Sequence, residues 1–591
     1  MKGERTVNKV LLSGNEAIAR GAYEAGATVA TAYPGTPSTE ILENIRKYKD
    51  ELYCEWAPNE KVAMEVATGA SFTGARSLVA MKHVGLNVAA DPFMTLSYTG
   101  VKGGLVVVSA DDPSMHSSQN EQDNRHFARF AKVPMLEPSD SEEAREFIKH
   151  AFEISEKFDT PLLFRVTTRI SHSKTVATLK EREKVQSLEE FEKDPDKFVM
   201  VPKNARKRHV VVEDRMKQLE EFSNQTELNK IEWKDSNIGI ITGGISYQYV
   251  KEALPHASIL KLGFSYPIPK KKIEEFSAKV DKLYVVEELD PFLEEQIKAM
   301  GIEIIGKEKL PIIYELNQKI LKENLVGEKP EQVSYSEVDL PPRPPALCPG
   351  CPHRGVFYTL NKLNLDVMGD IGCYTLGVVP PLSAIDTTVC MGASVSMTFG
   401  AELALKGEGK NKLIGVIGDS TFIHTGISGL IDIVYNQGAS TIMVLDNRTT
   451  GMTGHQDNPG TGKTLMGENT QPIDIKEISK AIGVNNVRTV DAYNLNEIEQ
   501  VVKEELSKDE PSIIITKNPC VLVDRDNTWE KLQVDSDKCK ACGMCYKVGC
   551  SAIYKGEDNK AKIDPTFCTG CGVCQQVCKF DAIVKAGDLN E

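Results

Sequence analysis

The chain has 591 residues, 41% of them hydrophobic and 26% charged, which fits folded soluble domains and leaves room for about four at ~150 residues each. A formal net charge of −14 argues against a nucleic-acid partner, which would favour a basic surface. The start, MKGERTVNKVLL, is too charged for an export signal, and no run is long and apolar enough to span a bilayer, so a cytoplasmic protein with no membrane attachment is expected.

Residues 1–180 alternate short apolar runs with amphipathic ones. KVLLSG, TVATAYPG, SLVAMKH, GGLVVVSA and PLLFRV have the continuous apolar character of buried parallel strands. NEAIARGAYEAG and NEKVAMEVATGASFTG have helical spacing, and the whole is an α/β pattern with ligand loops at strand ends. Residues 181–233 are charge-rich and poor in strand signals, as in a solvated helical linker. A middle α/β segment runs over 234–330, opening with NIGIITGG. The Pro-rich LPPRPPALCPG marks a boundary, a further α/β domain is expected over 346–525, and 530–591 is short and cysteine-dense.

In the third α/β segment KLIGVIGDS ends an apolar strand on Asp419, and STIMVLDNRTTGMTGHQ ends a second on Asn447. Between them TGISGLIDIVYNQG carries Ile427, Leu430, Ile431 and Val434 at helical spacing. A βαβ unit brings its two strand ends together on one edge of a parallel sheet. An Asp and an Asn there suit Mg²⁺, which takes oxygen ligands and shares its shell with phosphates and water.

Eight of the fourteen cysteines lie between Cys539 and Cys578. In a chain without an export signal such clustering reads as metal or cluster ligation, and suits a protein of low-oxygen surroundings. Cys539, Cys542 and Cys545 form a CxxCxxC run with Cys550 behind it; Cys568, Cys571 and Cys574 repeat the run with Cys578 behind. Zinc sites more often show paired CxxC units than CxxCxxC triplets. A further CxxC, Cys348 and Cys351 in CPGCPHRG, has distant companions in Cys373 and Cys520, and could serve zinc, a cluster or neither. Cys54 and Cys390 show no partner pattern and are expected to be buried thiols.

The C-terminal runs resemble bacterial ferredoxins that hold two 4Fe–4S clusters, in which the fourth cysteine of each run serves the other cluster. That resemblance implies one set of Cys539, Cys542, Cys545 and Cys578, and a second of Cys568, Cys571, Cys574 and Cys550. The first run has an extra residue before Cys550, and Ser551 and Lys579 stand where proline usually follows. The GDS…DN pattern resembles the thiamine-diphosphate motif. By that likeness Asp419 and Asn447 give side-chain oxygens to Mg²⁺, Thr449 gives its carbonyl, Gly418 lets the diphosphate approach, and Ser420 replaces the usual second glycine.

The domain order, with CPGCPHRG, GDST and VLDNRTTGMTGHQ, resembles the large subunits of the indolepyruvate branch of the 2-oxoacid:ferredoxin oxidoreductase family, across essentially the whole chain. The fold implied is α/β: two doubly wound parallel-sheet domains that bind thiamine diphosphate, a middle α/β domain, and a small C-terminal two-cluster ferredoxin-like domain. NEKVAMEVATGAS matches the family's segment for the carboxylate that activates the cofactor's pyrimidine ring, which selects Glu60 over its neighbour Glu65. YPGTPSTE matches the N-terminal signature and puts Thr36 against substrate or cofactor. Arg125, in SSQNEQDNRHFAR, is a candidate partner for a substrate carboxylate. Cys348, Cys351, Cys373 and Cys520 match the four ligands of a third 4Fe–4S cluster near the thiamine ring. The activity implied is oxidative decarboxylation of aryl pyruvates such as indolepyruvate, with coenzyme A as acyl acceptor and ferredoxin as electron acceptor, in a heteromer with a smaller subunit. The same chemistry on pyruvate or branched-chain 2-oxoacids is one alternative; a non-catalytic electron-transfer subunit is another.

Overall fold

The computed structural model describes residues 8–184, 191–329, 344–405, 410–524 and 529–588. Part of the charged segment at 185–190 and the prolines at 341, 342 lie outside the described residues. The chain divides into two compact units, Met1–Ser336 and Glu337–Glu591.

The first unit is built on a seven-stranded sheet. Its order is Phe264–Tyr266, Met135–Leu136, Leu162–Thr167, Leu105–Asp111, Ser77–Lys82, Val29–Ala32, Tyr53–Trp56, all parallel except the first pairing. The central strands, such as LVVVSAD over 105–111, are buried along their whole length, as strands covered on both faces must be. KVLLSG does not join them. Lys9–Ser13 pairs antiparallel with Lys174–Thr178 in a separate ribbon, and Leu11 and Val176 are exposed there. Ser13 then caps the helix Gly14–Glu24 in a capping box with Glu16.

A second sheet of four strands follows: Lys282–Val286, Asp235–Gly243, Ala257–Leu262 and an antiparallel edge, Asn229–Glu232. The charged segment before it holds a 24-residue helix, Pro202–Gln225, that buries Val212 and Leu219. The two sheets share one apolar core, in which Met135 and Leu163 lie with Leu260, Leu262 and Phe276. Together with the strand Phe264–Tyr266, which leaves the middle segment to pair with the first sheet, this makes a single packed body of both segments.

The second unit holds a five-stranded parallel sheet in the order Asp366–Met368, Leu413–Gly418, Thr441–Asp446, Ser512–Lys517, Asn486–Asp491. Apolar clusters cover both faces. The helix expected after Asp419 begins with a π-helical turn, Phe422–Gly426, and continues as Ile427–Tyr435. Leu430 and Ile433 are buried, whereas Ile431 is exposed. ISGLIDIVY is apolar nearly all round, so periodicity alone could not choose its inward face. The C-terminal segment pairs Leu532–Val534 with Ile583–Lys585 and Ile553–Lys555 with Ala561–Ile563, and its small core is largely sulfur and valine.

Candidate functional site

In the second unit the carboxyl ends of four adjacent parallel strands deliver the expected residues to one sheet edge, where ligands of open α/β sheets bind. Asp366–Met368 leads into Asp370 and Cys373; Leu413–Gly418 leads into Asp419; Thr441–Asp446 leads into Asn447; Ser512–Lys517 leads into Cys520. Backbone bonds fix the ends together: Cys520 N donates to Asn447 O at 2.9 Å and Asn518 N to Asp446 O at 3.1 Å. Asp370 is buried and accepts from Ile371 N, Gly392 N and Ser394 N at 2.8–2.9 Å, which shapes the loop that carries Cys373.

Asp419 opens a short helix with Gly418 as its cap. Its Oδ2 is buried without a hydrogen-bond partner. Burial first, and the neighbouring Asp446 second, push its carboxyl up to about 7. The Asn447 side-chain oxygen stands 3.2 Å from Asp419 Oδ1 and 2.9 Å from Thr449 O; turned by 180°, the amide would instead donate to both. Thr450 Oγ1 donates to Ser420 Oγ at 3.0 Å, which ties the two strand ends. Gly418 is explained locally by an aromatic ring: a Cβ there would lie 2.6 Å from Tyr374 Cε1. A Cβ on Gly451 would meet Cys373 Sγ at 3.3 Å, so this sulfur lies against the Asn447–Thr449 loop.

Cys348 and Cys351 sit on the turn before the helix His353–Lys362. Burial, then the charges of Cys348 and Cys373, push the Cys351 thiol up to about 12. Burial, then Cys520 and Cys348, push Cys373 up to about 11. The four cysteines are therefore electrostatic neighbours. In the C-terminal segment Cys545 is raised by burial and then by Cys539, Cys542 and Cys578. Cys571 is raised by burial, Cys550 and Cys568, and Cys574 by burial, Cys571, Cys550 and Cys568. Cys578 thus lies near the first run and Cys550 near the second, and Cys545 also reaches Cys574. Cys539, Cys542, Cys545 and Cys578 line one small pocket. Amides reach two of the sulfurs, Leu532 N to Cys568 Sγ and Ala582 N to Cys578 Sγ, both at 3.4 Å.

In the first unit Glu60 is the first residue of the helix Glu60–Phe72, which Asn59 caps, and is 5% exposed. It lies over Gly85, where a Cβ would come within 2.7 Å of Glu60 Oε1. Glu65 is about half exposed and pairs with Lys61. Thr36 is half-buried in the loop after Val29–Ala32, and its carbonyl accepts from Ser117 Oγ at 3.4 Å. Lys82, which carried no sequence signal beyond ending an apolar strand, donates to Ser117 O at 2.9 Å; burial lowers its pKa against the pull of Asp112 and Glu60.

Arg125 is not available to a substrate carboxylate. It is buried, paired with Asp123 and Glu287 at 2.5 Å, and also donates to Glu288 O and Asp290 O. A guanidinium with every face taken is a packing element of the inter-sheet core. Cys54 is a buried thiol pushed up to about 11 by burial, but Cys390 is exposed.

Comparison with known proteins agrees with this arrangement. Residues 20–235 match the thiamine-diphosphate-binding domain of pyruvate flavodoxin/ferredoxin oxidoreductase, residues 370–516 the C-terminal TPP-binding domain of thiamine pyrophosphate enzymes, and residues 561–584 a 4Fe-4S binding domain. Proteins named indolepyruvate oxidoreductase subunit IorA are similar over nearly the full length. That of Pyrococcus abyssi is 42% identical over 98% of this chain and 98% of its own. That of Archaeoglobus fulgidus is 43% identical over 91% and 96%, and that of Methanothermobacter thermautotrophicus 43% over 94% and 94%. The chain therefore belongs to the indolepyruvate oxidoreductase IorA family of thiamine-diphosphate-binding, iron–sulfur 2-oxoacid oxidoreductases.

Proposed function

We propose that this chain is the thiamine- and cluster-bearing subunit of an enzyme that oxidatively decarboxylates aryl pyruvates, indolepyruvate foremost. The acyl group passes to coenzyme A and the electrons to ferredoxin. The substrate follows the name carried by the relatives, and a smaller subunit completes the enzyme, as a heterodimer or as two copies of each chain.

The observation that carries the reading is the meeting of the Asp419 carboxylate, the Thr449 carbonyl and the Asn447 side-chain amide. An octahedral Mg²⁺ with bonds of 2.0–2.1 Å sets neighbouring ligand oxygens about 2.9 Å apart. Asp419 Oδ1 and Thr449 O stand 3.2 and 2.9 Å from the Asn447 amide, which would turn its oxygen to a bound ion, and the buried, unpartnered Asp419 Oδ2 leaves the site short of positive charge. These three would hold the ion, with Gly418 and Ser420 forming the turn beside the diphosphate. Thiamine diphosphate, when bound, supplies the electron sink that lets a 2-oxoacid lose CO₂. Glu60, buried at a helix N-terminus, is the carboxylate offered to a ring nitrogen, where it holds a proton at its Oε atom. Thr36 offers a hydroxyl to substrate or cofactor. Cys348, Cys351, Cys373 and Cys520 would hold a 4Fe–4S cluster beside the metal loop. Cys539, Cys542, Cys545 and Cys578 would hold a second, and Cys550, Cys568, Cys571 and Cys574 a third, giving the electrons a route through this one polypeptide.

The test is co-expression with the smaller subunit without oxygen, followed by assay of iron, thiamine diphosphate and coenzyme-A-dependent dye reduction. Indolepyruvate should outrun pyruvate; the reverse order overturns the substrate, and a protein free of iron and thiamine diphosphate overturns the chemistry. Glu60→Gln should lower turnover by roughly 10²–10⁴-fold while thiamine diphosphate stays bound. Glu65→Gln should leave turnover unchanged.

A further inference from the structure

Arg354 lies three residues after Cys351, on the first turn of the helix His353–Lys362, and is 2% exposed. Three other buried arginines, Arg125, Arg145 and Arg165, meet carboxylates, whereas Arg215 donates to Ser97 O and Asp159 O. Arg354 meets no carboxylate among the described residues. Its Nη2 donates to Leu347 O and to Cys348 O, the latter at 3.0 Å. Its Nη1 donates to Gly549 O and to Val548 O, the latter at 3.2 Å. Its Nε is buried without a partner.

A buried guanidinium that faces only carbonyls is costly, because dipoles alone seldom restore what a charge loses on leaving water. Its charge reaches the Cys351 sulfur. One pair of its bonds ends on Leu347 and Cys348, and the other ends directly before Cys550. The same two cysteine sets approach elsewhere. A Cβ on Gly350, in the first CxxC, would strike Thr569 Oγ1 at 2.1 Å, between Cys568 and Cys571. Tyr493 OH donates to Gly350 O at 2.8 Å, and burial followed by Cys571 and then Cys351 raises its pKa.

We infer that Arg354 is a positioning residue and the shared counter-charge of two iron–sulfur centres, the one on Cys348, Cys351, Cys373 and Cys520 and the one on Cys550, Cys568, Cys571 and Cys574. This rests on the proposed iron occupancy. A fixed cation between two thiolate-bound centres favours the more negative, reduced form of each, and raises both potentials together. The four-carbonyl fork also fixes the distance between their loops. The centre on Cys539, Cys542, Cys545 and Cys578 has no bond to Arg354 and should be little affected.

The experiment is an EPR-monitored redox titration of the anaerobically purified complex, wild type against Arg354→Gln and Arg354→Lys, with iron determined for each. In Arg354→Gln two of the three one-electron waves should fall by at least a tenfold change in the oxidised-to-reduced ratio, about 59 mV. The third should stay, and Arg354→Lys should keep all three near wild type. Three unmoved waves, or three that move alike, overturn the inference. Should Arg354→Gln lose iron, Arg354→Lys decides: full iron with wild-type waves supports the counter-charge, and a tenfold fall with the charge still present overturns it. An iron-free wild type would sink the parent reading instead.

Discussion

Asp419→Asn is expected to stabilise the ligand-free protein while destroying its affinity for Mg²⁺ and thiamine diphosphate. Burial holds the Asp419 carboxyl at about 7 against an ordinary 3.8. At 1.36 kcal/mol per unit the shift is worth about 4 kcal/mol. The sign follows from proton counting. With the folded value raised, the folded chain binds the extra proton between pH 4 and 7, so stability falls across that window and the full penalty stands above pH 7. Asp446, itself raised by burial, shares the interaction, so the figure is a ceiling. Asparagine keeps the shape, carries no charge, and can donate where Asn447 and Thr449 present oxygen. Thermal unfolding of ligand-free protein should show no gain at pH 4, and at pH 8 a gain for Asp419→Asn of up to about 16 °C, at 2–4 °C per kcal/mol for a body of this size. Added Mg²⁺ and thiamine diphosphate at 100-fold over their Kd should restore about 2.7 kcal/mol to wild type and nothing to the variant. A variant less stable than wild type at pH 8, or one with the same offset at both pH values, would refute the view that this carboxylate is held charged for a cation.

The crossed grouping of the C-terminal cysteines makes a second prediction. Cys578→Ser and Cys545→Ser should lose or alter the same EPR signal, and Cys550→Ser and Cys571→Ser the other; pairing of Cys550 with Cys545 would show the crossing to be wrong. Gly350→Ala puts a Cβ at φ +72°, 2.1 Å from Thr569 Oγ1. The left-handed backbone alone costs an L-residue about 1–2 kcal/mol, so melting temperature and bound iron should both drop, with partial recovery in Gly350→Ala/Thr569→Ala. A wild-type melting temperature for Gly350→Ala would contradict the packing of these two loops.

What the sequence made legible divides along a physical line. Cysteines two residues apart, or an Asp and an Asn at the ends of two strands around one helix, are held together by local geometry, so spacing alone reports them. The buried strands such as LVVVSAD were visible for the same reason, since burial on both faces leaves a continuous apolar run. Lys9–Ser13 has an equally apolar run, yet it pairs with Lys174–Thr178 outside the main sheet; its partner lies over 160 residues away and nothing local announces it. Arg125 and Arg354 show the same limit with charge. Both stand beside candidate motifs, but one is quenched by Glu287 and the other spans to Gly549, and only the fold reveals which arginine has a carboxylate. Cys390 lacks a motif, and a lone thiol says nothing of its exposure.

The sheet edge of the second unit explains why so many reactive groups gather in so little chain. Parallel strands all point their carboxyl ends the same way, so each successive βα turn adds its side chains to one place. Cys373, Asp419, Asn447 and Cys520 come from four neighbouring strands in that order, and the fifth strand, Asn486–Asp491, adds Tyr493 just beyond its end. Oxygen donors occupy the two central turns and sulfur donors the turns on either side. Hard oxygens suit Mg²⁺ and soft thiolates suit iron–sulfur clusters, so this order would keep each proposed metal to its own ligands; a Cβ on Gly451 would lie 3.3 Å from Cys373 Sγ and 3.8 Å from Asn447 Nδ2. Moving either set one strand along would mix the donor types, which is a physical reason for the order of CPGC, GDIGC, GDS, DN and KNPC along this chain.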